Sequence, residues 1–161
     1  MHPDLQYARR RAYRSEDPSW WSNLAAVYAT QKPPDLARAR QWYRRAAKRR
    51  DLRGLFEYGL MLIQGEGGPS RPAEGRRLVQ RAAALGEIDA LRVLSHAFAH
   101  GAFTFQRSVR RARQMQLALD RALLALREDL AENRRGRQVL PTNGPRREGA
   151  SNRRRSGSGR H

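Results

Sequence analysis

Two stretches decide the reading of this chain: QWYRRAAKRRDLRGLFEYGLML, Gln41 to Leu62, and RLVQRAAALGEIDALRVLSHAF, Arg77 to Phe98. The second repeats the first after 36 residues. It sets Ala46 and Ala47 against Ala82 and Ala83, Leu55 against Leu91 and, past the quoted ends, Gly65 against Gly101. Self-similarity at such a period marks a stack of supersecondary units that bury a core only between neighbours. Working backward, Trp20, Trp21, Leu24, Ala25 and Tyr28 occupy the corresponding places of a first unit, offset by about 34 residues because its inner loop is shorter.

Each unit reads as two helices. Apolar residues recur every three or four positions: Trp20, Trp21, Leu24, Ala25, Val27, Tyr28; then Leu36, Ala39, Trp42, Tyr43, Ala46. The second pair runs through Leu52, Leu55, Tyr58, Gly59, Leu62 and through Leu78, Val79, Ala82, Leu85. The third runs through Ile88, Leu91, Leu94, Phe98 and then from Val109 to Leu130. Asp17-Pro18, Pro33-Pro34, Pro72 and Gly86 punctuate these segments as helix starts and stops. No segment has the period of a strand. Ala25, Gly59 and Ser95 are the small residues where two helices must approach closely.

These residues resemble the tetratricopeptide pattern at Trp21, Leu24, Ala25, Tyr28, Ala39, Tyr43 and Ala46. The longer period, the GEGG of Gly65 to Gly68, and an RAA followed by Leu85 and Gly86 resemble more closely the related Sel-one-like repeat, in which a glycine-rich loop joins the two helices. The resemblance implies an all-α, short α-solenoid of about three antiparallel helix pairs, in units of about 18–50, 51–86 and 87–131. Ala8 to Ala12 mimics Trp42 to Ala46, which makes residues 3–15 a half-unit. The third unit departs from the pattern: Ser95 replaces a glycine, the loop GAFTFQRS lacks a second glycine, and Arg111 falls on a small-residue position. Its second helix is therefore expected to start a residue or more away and to act as a long cap. The repeat domain spans 1–131. Residues 132–161, rich in Gly, Ser, Asn, Pro and Arg, are too poor in apolar side chains to offset their ordering entropy and read as a disordered tail.

The resemblance further implies a non-catalytic protein–protein interaction scaffold that holds a protein or peptide on a concave face lined by the first helix of each pair. The lining positions are Arg53, Phe56, Leu60 and Gln64 in unit two and Arg92, His96 and His100 in unit three, with only Ser19, Ser22 and Ala26 from unit one. The basic and asparagine set with which some such domains clamp a C-terminal carboxylate is not reproduced.

Composition narrows the chemistry. Among 161 residues, 33 Lys and Arg face 15 Asp and Glu, a net charge of +18. Lys32 and Lys48 are the only lysines, a bias that reads as the codon composition of a GC-rich, bacterial genome before it reads as function. The absence of cysteine excludes disulfides, iron–sulfur clusters and thiol catalysis. No apolar run is long enough to span a membrane and the first residues lack a signal-like apolar middle, so a cytoplasmic address is expected.

His96 and His100 share a helix face at a spacing that suits a metal, but no third ligand is evident, and no metal or cofactor is expected. The GEGG loop lacks the Lys and Ser or Thr of a phosphate-binding loop and reads as a helix connection. No strained nucleophile turn exists, which speaks against an enzyme. The rival reading is a nucleic-acid-associated protein whose Arg-rich termini bind the RNA or DNA backbone weakly and without reading sequence. Its residues would be Arg9 to Arg11, with Arg134, Arg135, Arg137, Arg146, Arg147, Arg153, Arg154 and Arg155 in the tail. Trp20, Trp21, Trp42, Tyr28, Tyr43 and Tyr58 lie at repeat-core spacing and read as packing. Three units are near the lower limit for a stable array, which favours self-association.

Overall fold

The computed structural model describes residues 3–138, and over these the chain is helical throughout, with no strand among the described residues. Seven helices follow one another: α1 (Pro3–Arg14), α2 (Pro18–Thr30), α3 (Leu36–Lys48), α4 (Leu52–Gln64), α5 (Pro72–Ala84), α6 (Ile88–His100) and α7 (Val109–Gln138). The chain divides into two compact units after Leu126, within α7. In the second, the described residues continue the helix to Gln138. Helix therefore runs seven residues past the boundary drawn at 131, and the rest of the expected tail, 139–161, lies outside the described residues.

Local chemistry sets the helix ends. Asp17, Asp35 and Asp51 precede α2, α3 and α4, and their carboxylates accept the otherwise orphaned N–H groups of Ser19 (2.9 Å), Arg38 (2.9 Å) and Gly54 (2.7 Å). Pro18 and Pro72 open α2 and α5, where a missing N–H costs nothing. Gly65 and Gly101 end α4 and α6 in the left-handed conformation, with φ of 78° and 75°.

Successive helices pack together, α1 on α2, α2 on α3, and so on through α6. Their apolar faces form two clusters. The first gathers Leu5, Ala8 and Ala12 of α1 with Trp21, Leu24, Tyr28, Tyr43 and Leu62. The second gathers Leu55, Val79, Leu91, Leu94 and Phe98 with Leu119 of α7. Because α4 contributes to both, the clusters share one wall, as stacked repeats require. The N-terminal half-unit docks fully: the Trp21 indole N–H donates to the Ala12 carbonyl at 2.9 Å.

The third pair departs from the second by one residue. Helix α5 starts at Pro72, whereas α7 starts at Val109, one place later than a 36-residue repeat would put it. Ala112 thereby takes the place of Gly75 beside α6, where its carbonyl faces the Ser95 hydroxyl at 3.4 Å. Arg111 turns outward, its guanidinium 5.5 Å from the centre of the Phe98 ring. The extra loop residue is what lets a small side chain meet α6.

Candidate functional site

The first helices of the pairs, α2, α4 and α6, present the expected lining residues unequally. Arg53, Gln64, Arg92, His96 and His100 are exposed, and Leu60 is half-buried. Phe56 is only 6% exposed and sits in the second core with Val79, Ala83, Ala90 and Leu91, so it is a packing residue. One residue type and spacing serves either role, and only the position of the neighbouring pair turns Phe56 inward. On α2, Ser22 is buried and Ser19 is exposed.

Between α2 and α4 lies a polar knot. The Ser22 hydroxyl donates to the Asp51 carboxylate, which also caps α4 through the Gly54 N–H at 2.7 Å. Tyr43 of α3 is buried beside it. Burial pushes its phenol up to about 12; the Glu57 charge adds to this, and the neighbouring Arg53 guanidinium opposes it. Glu57 itself is partly buried, which raises its carboxyl above the ordinary 4.5. Arg53 opposes that shift, while Asp89, Glu87 and Glu66 strengthen it. Glu87, at the head of α6, is raised by the same loss of water, against the Asp89 N–H that it accepts at 3.5 Å. Arg92 pairs with Asp89 at 2.9 Å. The surface between α4 and α6 thus sets several carboxylates, two of them, Glu57 and Glu87, partly stripped of water, beside Arg53 and Arg92.

His96 and His100 stand with ring centres 4.5 Å apart and planes tilted by 43°. Among the described residues no group of three His, Asp or Glu could hold a metal ion. The GEGG loop acts as a helix connection. A Cβ on Gly67 would lie 2.2 Å from the Leu36 carbonyl oxygen, so the loop can lie on the start of α3 only with glycine there. Arg40, buried on α3, holds the loop by donating to the carbonyls of Glu66 (3.0 Å) and Pro69 (2.7 Å). Sequence reasoning missed Arg40 because it is one arginine among many. Its signal was its register, one place after the buried Ala39 on a helix whose other arginines face water.

Of the tail cations, Arg134 and Arg135 are exposed on α7 and Arg137 lies within the same helix. Arg146, Arg147, Arg153, Arg154 and Arg155 lie outside the described residues. The aromatic residues divide. Trp21, Tyr28, Tyr43 and Tyr58 are buried, Trp20 and Trp42 are half-buried, and Tyr13 is 65% exposed. Tyr13 packs edge-to-face on Trp42, with centroids 5.3 Å apart, and the Arg45 guanidinium lies 4.3 Å from Trp21 and 5.3 Å from Trp42.

No protein-family model matches this sequence, and no curated protein does. A solved structure does match: a Sel1 repeat protein from Oxalobacter formigenes, with a TM-score of 0.64 and 21% identity over 71% of this chain. The chain spans 46% of the length of that protein. The likeness is one of fold: an all-α repeat array of the Sel1 kind.

Proposed function

From a fold shared with a Sel1 repeat protein, we propose that this chain is a non-catalytic scaffold that binds a protein segment on the face formed by α2, α4 and α6. The observation that carries the reading is Glu57. Its carboxylate has lost part of its water, the neighbouring Arg53 only partly offsets that cost, and Asp89, Glu87 and Glu66 add to it, so a further cation approaching Glu57 is favoured. The partner segment is accordingly one that brings a Lys or Arg side chain to Glu57. Around it the exposed Arg53, Gln64, Arg92, His96 and His100 form a polar rim, and Leu60 offers apolar contact. The chain's address is proposed to be the cytoplasm; among the described residues no helix is long and apolar enough to cross a membrane. Exposed Leu117, Leu123 and Leu124 on α7 support self-association through that helix.

The test is capture of partners by the full chain, followed by mass spectrometry, with Glu57→Arg and Gln64→Ala/His96→Ala variants as controls. A partner retained by the wild-type chain and lost at least tenfold with Glu57→Arg supports the scaffold reading. Equal recovery with every variant refutes this face as the site.

A further inference from the structure

We propose that the opposite, outer surface formed by α1 and α3 binds single-stranded nucleic acid. Three recesses follow α3 and share Gln41, with volumes of about 380, 200 and 220 Å³. Their lining supplies Arg9, Arg38, Arg44, Arg45, Lys48 and Arg71, and no Asp or Glu lines any of them. Arg38 and Arg71 are paired, with Asp35 at 3.4 Å and Glu74 at 3.6 Å. Among the described residues, Arg9, Arg44, Arg45 and Lys48 have no carboxylate within ion-pair distance. Four cations without a carboxylate partner along one track give it a positive charge density that a phosphate backbone complements.

The aromatic groups distinguish a nucleic acid from a simple polyanion. The track begins at the Tyr13–Trp42 edge-to-face pair, beside which lies the Arg45 guanidinium. The same construction recurs further along α1: Tyr7 meets Trp20 edge-to-face at 6.0 Å, and Arg11 lies 5.7 and 5.2 Å from their ring centres. That pair lines a recess of about 470 Å³ with Arg10 and Arg14. Tyr7 and Tyr13 are 56% and 65% exposed, so each offers much of a ring to a ligand. Tyr13, exposed, braced by Trp42 and beside Arg45, sets a stacking ring on the cationic track, the combination that holds single strands without reading their sequence; the Tyr7–Trp20 pair lines a separate recess between α1 and α2. Tyr13, Trp42 and the cations Arg9, Arg44, Arg45 and Lys48 belong to α1 and α3, so this surface is distinct from both the C-terminal arginines and the lining residues of the α2/α4/α6 face.

The experiment measures binding of the full chain to a labelled 20-nucleotide oligouridylate and to heparin by fluorescence anisotropy across a salt series. Replacing two phosphate-contacting cations in the Arg44→Gln/Lys48→Gln variant should lower the slope of log affinity against log salt by about 1.4. Tyr13→Leu, which keeps apolar bulk and loses the ring, should weaken oligouridylate binding about tenfold while heparin binding changes less than twofold. Unchanged affinity in the charge variant would place all binding in the C-terminal arginines and overturn the proposal. Equal losses for oligouridylate and heparin in Tyr13→Leu would overturn the stacking role of Tyr13, as would a phosphopeptide that competes better than the oligonucleotide. Capture of protein partners by these variants at wild-type level separates this surface from the scaffold face.

Discussion

The close backbone approach between α4 and α5 offers the sharpest test of the repeat architecture. Gly75 of α5 faces Gly59 of α4, and a Cβ on Gly75 would lie 2.4 Å from the Gly59 carbonyl oxygen and 2.8 Å from Ile63 Cγ1. An ordinary carbon–oxygen approach is about 3.3 Å, so Gly75→Ala must separate the two backbones by nearly 1 Å. A gap of that size forfeits a quarter to a half of each dispersion contact, and overpacking of this kind costs roughly 3 kcal/mol. The better helix propensity of alanine returns about 1 kcal/mol, leaving a net loss of about 2 kcal/mol. For a domain of this size that corresponds to a fall in Tm of roughly 6–10 °C. Gly59→Ala should cost less, because its nearest backbone contact, the Gly75 carbonyl oxygen, lies 3.0 Å away and not 2.4 Å, although the buried Val79 side chain at 2.8 Å must also shift. Ser95 occupies the same place in α6, where the spacing already admits a Cβ and its hydroxyl makes only long contacts of 3.4 and 3.3 Å. Ser95→Ala should therefore change stability by less than about 0.5 kcal/mol. Thermal and urea unfolding of the full chain, followed by circular dichroism, gives the order. A Gly75→Ala chain as stable as wild type, or a Ser95→Ala chain equally damaged, would refute the close approach as the organising contact of the second unit.

Two further outcomes follow from the polar groups. Glu57 has its folded carboxyl raised above 4.5, chiefly by burial. Through the window between the ordinary and the raised value the folded chain holds more protons than the unfolded one, so this group's contribution to stability falls as pH rises. Glu57→Gln should thus be more stable than wild type at pH 7, with the gain vanishing below about pH 4; urea midpoints that show the reverse trend would contradict the assigned burial. Arg40→Met removes two charge-assisted hydrogen bonds to the Glu66 and Pro69 carbonyls and should cost about 2 kcal/mol, with faster amide exchange over residues 65–71. Arg40→Lys should not restore the protection, since a single ammonium lacks the planar fork that reaches both carbonyls; full rescue by lysine would show that charge alone holds the loop.

Much of the fold was legible because helix period and helix punctuation are local. Leu24, Tyr28, Leu55, Leu62, Val79 and Leu91 announced their faces at spacings of three and four, and Asp17, Pro18, Pro72 and Gly86 marked where helices begin and end. The departure of the third unit was visible in Ser95 and Arg111, and a shift of one residue at the start of α7 accommodates both. The face proposed for binding was less legible. Arg53, Gln64, Arg92, His96 and His100 are exposed as the repeat register implies, but Phe56 is taken up by the core between neighbouring units.

Sequence alone determined the number, order and approximate ends of the helices up to the long cap, because capping, backbone conformation and apolar period act within a turn or two of each residue. Only the tertiary structure decided what depends on residues far apart in the chain. It committed Arg40 to the GEGG loop, and it set the Glu57 carboxylate among the acids of α6 and the loop after α4. It also docked α1 through the Trp21–Ala12 hydrogen bond, which places Tyr13 on Trp42 and gathers arginines from α1 and α3 on one surface. An arginine has the same letter whether it anchors a loop, covers a tryptophan or meets solvent, and its role follows from the water it loses and the partners it gains when separate helices come together.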